Sequence, residues 1–424
     1  MPFLLNQTTA QTSVLQQGTT LQYNRKITIT IGESRKSVNW QPQISWLTEF
    51  YQRLQTPVRG TETYQTYKQL PKATRDAKKD VGGFVGGTLR GVRRKANAVT
   101  GRDLLTLDLD NLPPGSTDVV LQRLAGLECG YCVYSTRKHA PESPRLRVIV
   151  PLNRTATPDE YEPLARKFAE LLQPEMSWFD PTTFEIHRLM YFPSVCSDGE
   201  FVYHFEDKPF LSADGTLALY SDWRDVTCWP QVPGVAPVTR LVGKQADPRQ
   251  KGGIVGAFCN IYDVYAAIDK FLPTQYEKCD TAENRYTFTG GSTTGGAVVY
   301  EEGKFLYSHH ATDPCSGKLV NAFDLVRLHL FGSLDEEAKP DTPVTKLPSW
   351  KEMCQFAAAD EAVNNLLTQQ QYQQAVEDFG PLSGNPNTNS EDSGTSLNET
   401  AMDGLAKRDK NPQTGRFEHT IKNA

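Results

Sequence analysis

Two aspartates, Asp108 and Asp110, close the run Leu104-Leu-Thr-Leu-Asp108-Leu-Asp110. In an extended strand, residues two apart point to the same side. Leu105, Leu107 and Leu109 then face a core, and the two carboxylates project together from the opposite face. Like charges that close repel, and a divalent cation between them relieves the repulsion. With a third carboxylate, such a pair can hold two metal ions for nucleotidyl transfer. One ion lowers the pKa of an attacking hydroxyl, and the other binds a triphosphate and stabilises the leaving oxygen. Asp180, in Phe179-Asp-Pro-Thr-Thr183, supplies a third carboxylate. Arg145, Arg147 and Arg188 offer the forked donors that suit phosphate. The competing reading is a lattice of surface salt bridges between strands. Asp-x-Asp is common by chance, and Asp-Pro alone is a turn signal.

The elements that must position these groups are legible around them. Leu104 to Asp110 alternates as a half-buried strand. Ser116 to Ala125 reads as a short helix, and Gly130 to Ser135 and Leu146 to Leu152 as strands joined by a Pro-punctuated loop, Thr136 to Pro144. Thr157-Pro158-Asp159-Glu160 is a capping box with proline at the first helical position. It opens a helix with the apolar stripe Tyr161, Leu164, Phe168, Leu171. Arg188 to Phe192 reads as a last strand. The order is β-α-β-β-α-β, an RRM-like, ferredoxin-type arrangement. Its first and third strands are central neighbours, so the face bearing Asp108 and Asp110 should also bear Arg145 and Arg147.

Ahead of this core, Gly18 to Thr30 and Ile29 to Trp40 contain β-prone pieces with Gly32 as a turn residue. Ile44, Leu47, Tyr51 and Leu54 mark a helix. From Lys72 to Arg102 the chain carries nine Lys/Arg against two Asp. The cluster Arg90, Arg93, Arg94, Lys95 follows a Gly-rich run, Gly82 to Gly91; it is either a solvated loop or a surface that touches DNA phosphates. Behind the core, Ser197 to Trp229 adds aromatic strand-like pieces, and Pro230 to Gly253 reads as a linker. Ile254 to Leu272, Asn321 to Phe331 and Trp350 to Phe379 read as helices, with strands in Tyr286 to Tyr307. Gly380 to Thr400 is Ser/Asn/Gly/Thr-rich and reads as linker or disorder. The chain then stops at Ala424 without a new core, which reads as a cut form of a longer protein. The expected fold is α+β: an RRM-like core joined to an N-terminal α/β part within residues 1–229, a linker at 230–252, a smaller mixed accessory domain at 253–379 ending in helices, and a flexible tail at 380–424.

Composition narrows the classes. The chain has 424 residues, 38% of them hydrophobic, enough for two to three domains. No stretch of 18 apolar residues suggests a membrane span. The polar start lacks the plan of a signal peptide, and eight scattered cysteines without one point to a reducing cytoplasm. A net charge of -5 does not announce a nucleic-acid binder, so that case rests on local charge. There is no Gly-x-x-x-x-Gly-Lys-Ser/Thr and no Gly-x-Gly-x-x-Gly. Cys129-Gly-Tyr-Cys132 has metal-pair spacing but leads into an apolar strand, which favours core packing. His309, His310, Asp313 and Cys315 could bind metal, with a structural turn as the better reading.

Taken together, these motifs resemble the archaeo-eukaryotic primase superfamily. Asp108-Leu-Asp110 looks like its first motif. Ser135 to His139 stands where its second, Ser-x-His, motif belongs. Phe179-Asp180 through His187-Arg188-Leu-Met-Tyr-Phe-Pro193 looks like its third. Pro144-Arg-Leu-Arg-Val-Ile-Val-Pro151 is similar to phage and mobile-element primases. Tyr286-Thr-Phe through Gly296, Tyr307-Ser-His-His-Ala-Thr-Asp-Pro314 and Asn321-Ala-Phe-Asp-Leu-Val326 resemble the accessory region of virulence-associated E proteins. The resemblance spans most of residues 20 to 345. It implies that Asp108, Asp110 and Asp180 bind Mg2+ or Mn2+, and that Ser135, His139, Arg145, Arg147 and Arg188 contact the incoming NTP or dNTP. The second motif departs from its pattern: Arg137 stands where the histidine would, and His139 follows two residues on. The resemblance assigns that role to His139, with Arg137 as the rival. Arg90, Arg93, Arg94 and Lys95 would contact a single-stranded DNA template. A helicase domain or partner often follows in such families.

The leading reading is therefore a primase or primase-polymerase serving phage or mobile-element replication in a bacterial host. A sheet that only holds RNA would need stacking aromatics on its central strands, and Leu146 to Leu152 has none. A replication-initiation protein that binds DNA without catalysis also fits the fold, and a two-metal nuclease would share the carboxylates with less need of the arginines.

Overall fold

The computed structural model describes residues 15–16, 18–233, 242–280, 282–339 and 342–380. Part of the expected linker (234–241) and the expected tail beyond Gly380 therefore lie outside the described residues. The chain divides into two units, Met1–Gln369 and Gln370–Ala424. No helix among the described residues is long and apolar enough to cross a membrane.

The N-terminal part comprises β1 (Lys26–Gly32), β2 (Gln41–Trp46), α1 (Leu47–Gln55), β3 (Val58–Arg59), α2 (Tyr64–Gln69), α3 (Lys72–Lys79), β4 (Gly83–Val85) and β5 (Gly87–Leu89). The core follows with β6 (Val99–Leu109), α4 (Thr117–Ala125), β7 (Tyr131–Ser135), β8 (Leu146–Ala156), α5 (Pro158–Leu172), β9 (Met190–Tyr191), β10 (Ser194–Val195), β11 (Tyr203–Glu206) and α6 (Ala213–Leu217). One sheet runs β11-β7-β8-β6-β5, and a second runs β2-β1-β4-β9. β6 and β8 are antiparallel central neighbours, as the α+β, RRM-like reading requires. The strand expected at Arg188 to Phe192 differs. It shrinks to β9 and pairs with β4 in the second sheet, because β5 already occupies the free edge of β6 near its start.

β6 is buried on both faces, where the sequence suggested one. Leu105, Leu107 and Leu109 join the core formed with α4 and α5, while Leu104 joins a second core with Ile27, Ile29, Phe50 and Phe84 from the N-terminal sheet and α1. Asp108, near the end of β6, is buried as well. The helix α5 starts as its capping box dictates: Glu160 reaches back to the Thr157 amide at 2.8 Å. Its seam ends on Leu172, not Leu171, which is 46% exposed. Ile44 likewise falls in β2 and is exposed, so the helix begins at Leu47. Cys129 and Cys132 pack into different cores, which rules them out as a metal pair and supports the packing reading.

Farther on lie α7 (Gly253–Ile261), α8 (Val264–Phe271), β12 (Tyr276–Lys278), β13 (Arg285–Phe288), β14 (Ala297–Tyr300), β15 (Phe305–Ser308), β16 (Leu319–Val320), α9 (Ala322–Phe331), α10 (Pro348–Ala359) and α11 (Glu361–Phe379). The helix read over Ile254 to Leu272 breaks at Asp263, whose carboxylate caps α8 by accepting the Ala266 amide at 2.7 Å. Strands β12 to β16 form one antiparallel sheet in sequence order. His310 closes its turns by accepting the Phe288 and Gly296 amides at 3.1 and 3.2 Å. Asp313 accepts the Tyr276 hydroxyl and the Cys315 amide at 2.8 and 2.7 Å.

Candidate active site

The register of β6 on β8 sets Asp108 opposite Arg147. Asp110 follows on the same side at the strand's end, where Arg145 enters β8. The third carboxylate arrives differently from the first two. Near its end, β6 has no strand neighbour on the side away from β8, and the turn after α5 docks there. The Asp180 amide donates to the Asp108 carbonyl at 3.0 Å, and the Asp108 amide donates to Thr183 Oγ1 at 2.7 Å. Thr183 is fully buried. These two bonds bring an oxygen of each of Asp108, Asp110 and Asp180 within 4.8 Å of one another.

Each carboxylate meets a guanidinium. Arg145 Nη1 lies 2.8 Å from Asp110 Oδ2, and Arg147 Nε lies 3.5 Å from Asp108 Oδ1. Arg188 Nη2 bridges Asp180 at 2.7 Å and Asp108 at 3.7 Å. Asp180 Oδ1 also accepts the Thr182 amide and hydroxyl at 2.8 and 2.7 Å. Arg147 is fixed from behind, donating to the Tyr191 carbonyl at 3.2 Å, which also accepts the Tyr134 hydroxyl. Burial pushes the Asp108 carboxyl above its usual range; Asp110 and Asp180 push the same way, against Arg147 and Arg188. For Arg147 burial acts against the charge, but Asp108, Tyr134 and Asp110 together outweigh it and hold the guanidinium charged. Asp108 Oδ1 is buried and accepts no hydrogen bond. Three converging carboxylates with an unsatisfied buried oxygen suit a hard divalent cation.

Around this centre opens a cleft of about 710 Å³. Nine basic side chains line it against four acidic ones, Asp108, Asp110, Asp180 and Glu185. That excess favours a polyanionic ligand. Besides Arg94, Arg137, Arg145, Arg147 and Arg188, the basic groups are Arg35, Lys36, Lys79 and Lys138. Lys79 belongs to the basic run between Lys72 and Arg102. Arg35 and Lys36, in the loop after β1, carry no local motif, and only the stacking of the N-terminal sheet brings them here.

Of the other expected residues, Ser135, His139, Arg90, Arg93 and Lys95 lie outside the cleft lining. Ser135 Oγ accepts the Val202 amide at 3.0 Å at the end of β7. His139 is 4% exposed, and its Nδ1 accepts the Arg145 amide at 3.1 Å, tying the loop back to β8. Burial lowers its pKa, so the ring is neutral. Of the basic cluster, Arg90 is exposed, whereas Arg93 and Lys95 donate to the Glu337 and Asp335 carbonyls at 3.4 and 3.2 Å. Arg94 donates to the His187 carbonyl at 3.0 Å and reaches the cleft wall. Arg93 and Lys95 therefore brace loops, while Arg90 stays exposed and Arg94 belongs to the cleft.

A profile of the VapE N-terminal domain matches residues 12–232, more than half of the chain. The chain belongs to the VapE N-terminal domain family. All the cleft-lining residues fall inside the matched range. The resemblance to virulence-associated E proteins in the sequence rests on Tyr286 to Val326, whereas the VapE N-terminal domain lies ahead of that region. Among solved structures, the AEP domain of the cyanophage S-2L primase-polymerase (PrimPol) is similar at 13% identity, covering 46% of this chain and 88% of that one, with a TM-score of 0.26. No curated protein matches the chain.

Proposed function

We propose that this VapE N-terminal domain is a primase-polymerase, a DNA-directed nucleotidyltransferase that builds a strand on single-stranded DNA from NTPs or dNTPs. The observation that carries the reading is the meeting of Asp108, Asp110 and Asp180 with an arginine wall in one basic cleft. The three carboxylates would hold Mg2+ or Mn2+. Bound there, the ions would activate the attacking hydroxyl and neutralise charge on the leaving pyrophosphate. The chain's own part is to position. Arg145 and Arg188, partly exposed and at the mouth of the carboxylate group, are set to take phosphate oxygens. Arg147, held by the Tyr191 carbonyl, keeps a fixed positive charge behind Asp108. Lys36, Lys79 and Lys138 extend the positive wall along the path a triphosphate or template would follow. β8 offers arginines where a purely RNA-holding sheet would offer stacking aromatics, which supports the catalytic reading.

A division into a catalytic region, 1–229, and an accessory domain, 253–379, belongs to the same proposal. So do a bacterial cytoplasmic setting and a helicase domain or partner. The test is primer synthesis. The purified chain receives single-stranded DNA, labelled NTPs or dNTPs and Mg2+ or Mn2+, without primer, beside the Asp108→Ala/Asp110→Ala variant. Products that vanish in the variant support the reading. A folded protein that binds Mn2+ and DNA but makes no product overturns it in favour of a non-catalytic replication-initiation or nucleic-acid-binding role.

A further inference from the structure

Arg137 is the cleft residue with the least ordinary surroundings. Its side chain is only 4% exposed, yet it lines the cleft. Its guanidinium is ion-paired with Glu62, whose other oxygen takes Lys78 Nζ at 3.1 Å. The Tyr67 ring lies 5.3 Å away. Its Nε is buried and has no hydrogen-bond partner.

The space for this guanidinium is set by a residue far away in sequence. β3 pairs in parallel with β10, and the Gly60 amide donates to the Val195 carbonyl at 2.8 Å, which fixes the backbone beside Arg137. A Cβ at Gly60 would run into Arg137 Nη2 and stand 3.1 Å from its Cζ. The atom struck is the far end of a flexible side chain, so Gly60→Ala displaces the guanidinium and spares the fold.

Resting on the nucleotidyltransferase reading, we propose that Arg137, and not His139, makes the second-motif contact to the nucleotide's phosphates, with Gly60 as the positioning residue that keeps room for it. His139 has its Nδ1 committed to the Arg145 amide, lies outside the cleft lining and is uncharged. Arg137 carries a charge and lines the cleft.

Isothermal titration of the full chain with ATP and dATP in Mn2+ tests this, with Mn2+ affinity measured separately. Arg137→Ala should weaken nucleotide binding about tenfold, about 1.4 kcal/mol. Gly60→Ala should weaken it by a similar factor and leave Mn2+ affinity unchanged. The double variant should be no weaker than Arg137→Ala alone, since both remove one contact. His139→Asn, which keeps an acceptor for the Arg145 amide, should change affinity less than about threefold, well short of the tenfold step. Wild-type affinity in Gly60→Ala overturns the positioning role. A larger loss in His139→Asn than in Arg137→Ala overturns the assignment, and it does so even if Gly60→Ala fails to fold. A wild-type chain that binds Mn2+ but neither nucleotide overturns the nucleotidyltransferase reading together with this one.

Discussion

The hydroxyl of Thr183 is the smallest group on which the carboxylate cluster depends. It accepts the Asp108 amide at 2.7 Å from a fully buried position. Thr183→Val keeps the side-chain shape and deletes only the acceptor. The Asp108 N–H is then stranded out of water, at a cost of about 1–3 kcal/mol. That cost must appear in one of two places. If the turn stays docked, the fold loses it directly. If the turn leaves β6 to let water in, Asp180 leaves with it and the metal site is weakened instead. At 1.4 kcal/mol per decade, the second case means roughly a 5- to 100-fold loss of Mn2+ affinity. Titration calorimetry with Mn2+, paired with equilibrium unfolding of the same preparation, measures both. Wild-type values in both assays would refute the account of how Asp180 is held.

The pH dependence of metal binding follows from Asp108. Its carboxyl is raised by burial, so protons compete with metal at higher pH than at an ordinary carboxylate. Mn2+ affinity should still climb through the window above the ordinary carboxylate range of about 4; a plateau reached within that ordinary range would contradict the shift. Without metal, the same shift makes the fold bind more protons than the unfolded chain, so stability should fall as pH rises through that window, which thermal melts in chelator would show. Gly87→Ala should destabilise by about 3 kcal/mol or prevent soluble expression, because its Cβ would strike the Gly101 carbonyl and lie 2.8 Å from Arg102 Cα, both backbone; a normal melting curve would refute this. Asp159→Ala removes the acceptor of the Ser292 amide and hydroxyl at 2.6 and 2.9 Å. It should cost about 2 kcal/mol and speed hydrogen exchange around Ser292 while Mn2+ affinity stays unchanged.

What is legible in the residues is whatever depends on local spacing. The alternation in Leu104 to Asp110 marks the strand, and the Arg145 and Arg147 spacing marks its neighbour's face. The capping box marks the start of α5. What is not legible depends on a second layer. Nothing near Leu104 says that Ile27, Ile29 and Phe50 will join it in a second core on that face of the sheet. Nothing near Arg93 or Lys95 says that carbonyls more than two hundred residues onward will take their charges. Likewise, Arg35 and Lys36 reach the cleft only because β1 and β4 pair, and the space beside Arg137 depends on Gly60. In each case the partner is distant in sequence and has no pattern of its own.

The turn docked on β6 has a consequence beyond chemistry. A strand end with free amide and carbonyl groups is an invitation to another chain's strand. Here Asp180 and Thr183 consume those groups near the end of β6, as β5 does near its beginning. The loop that delivers a carboxylate thus also closes this stretch of open edge, a service that does not depend on any chemistry in the cleft.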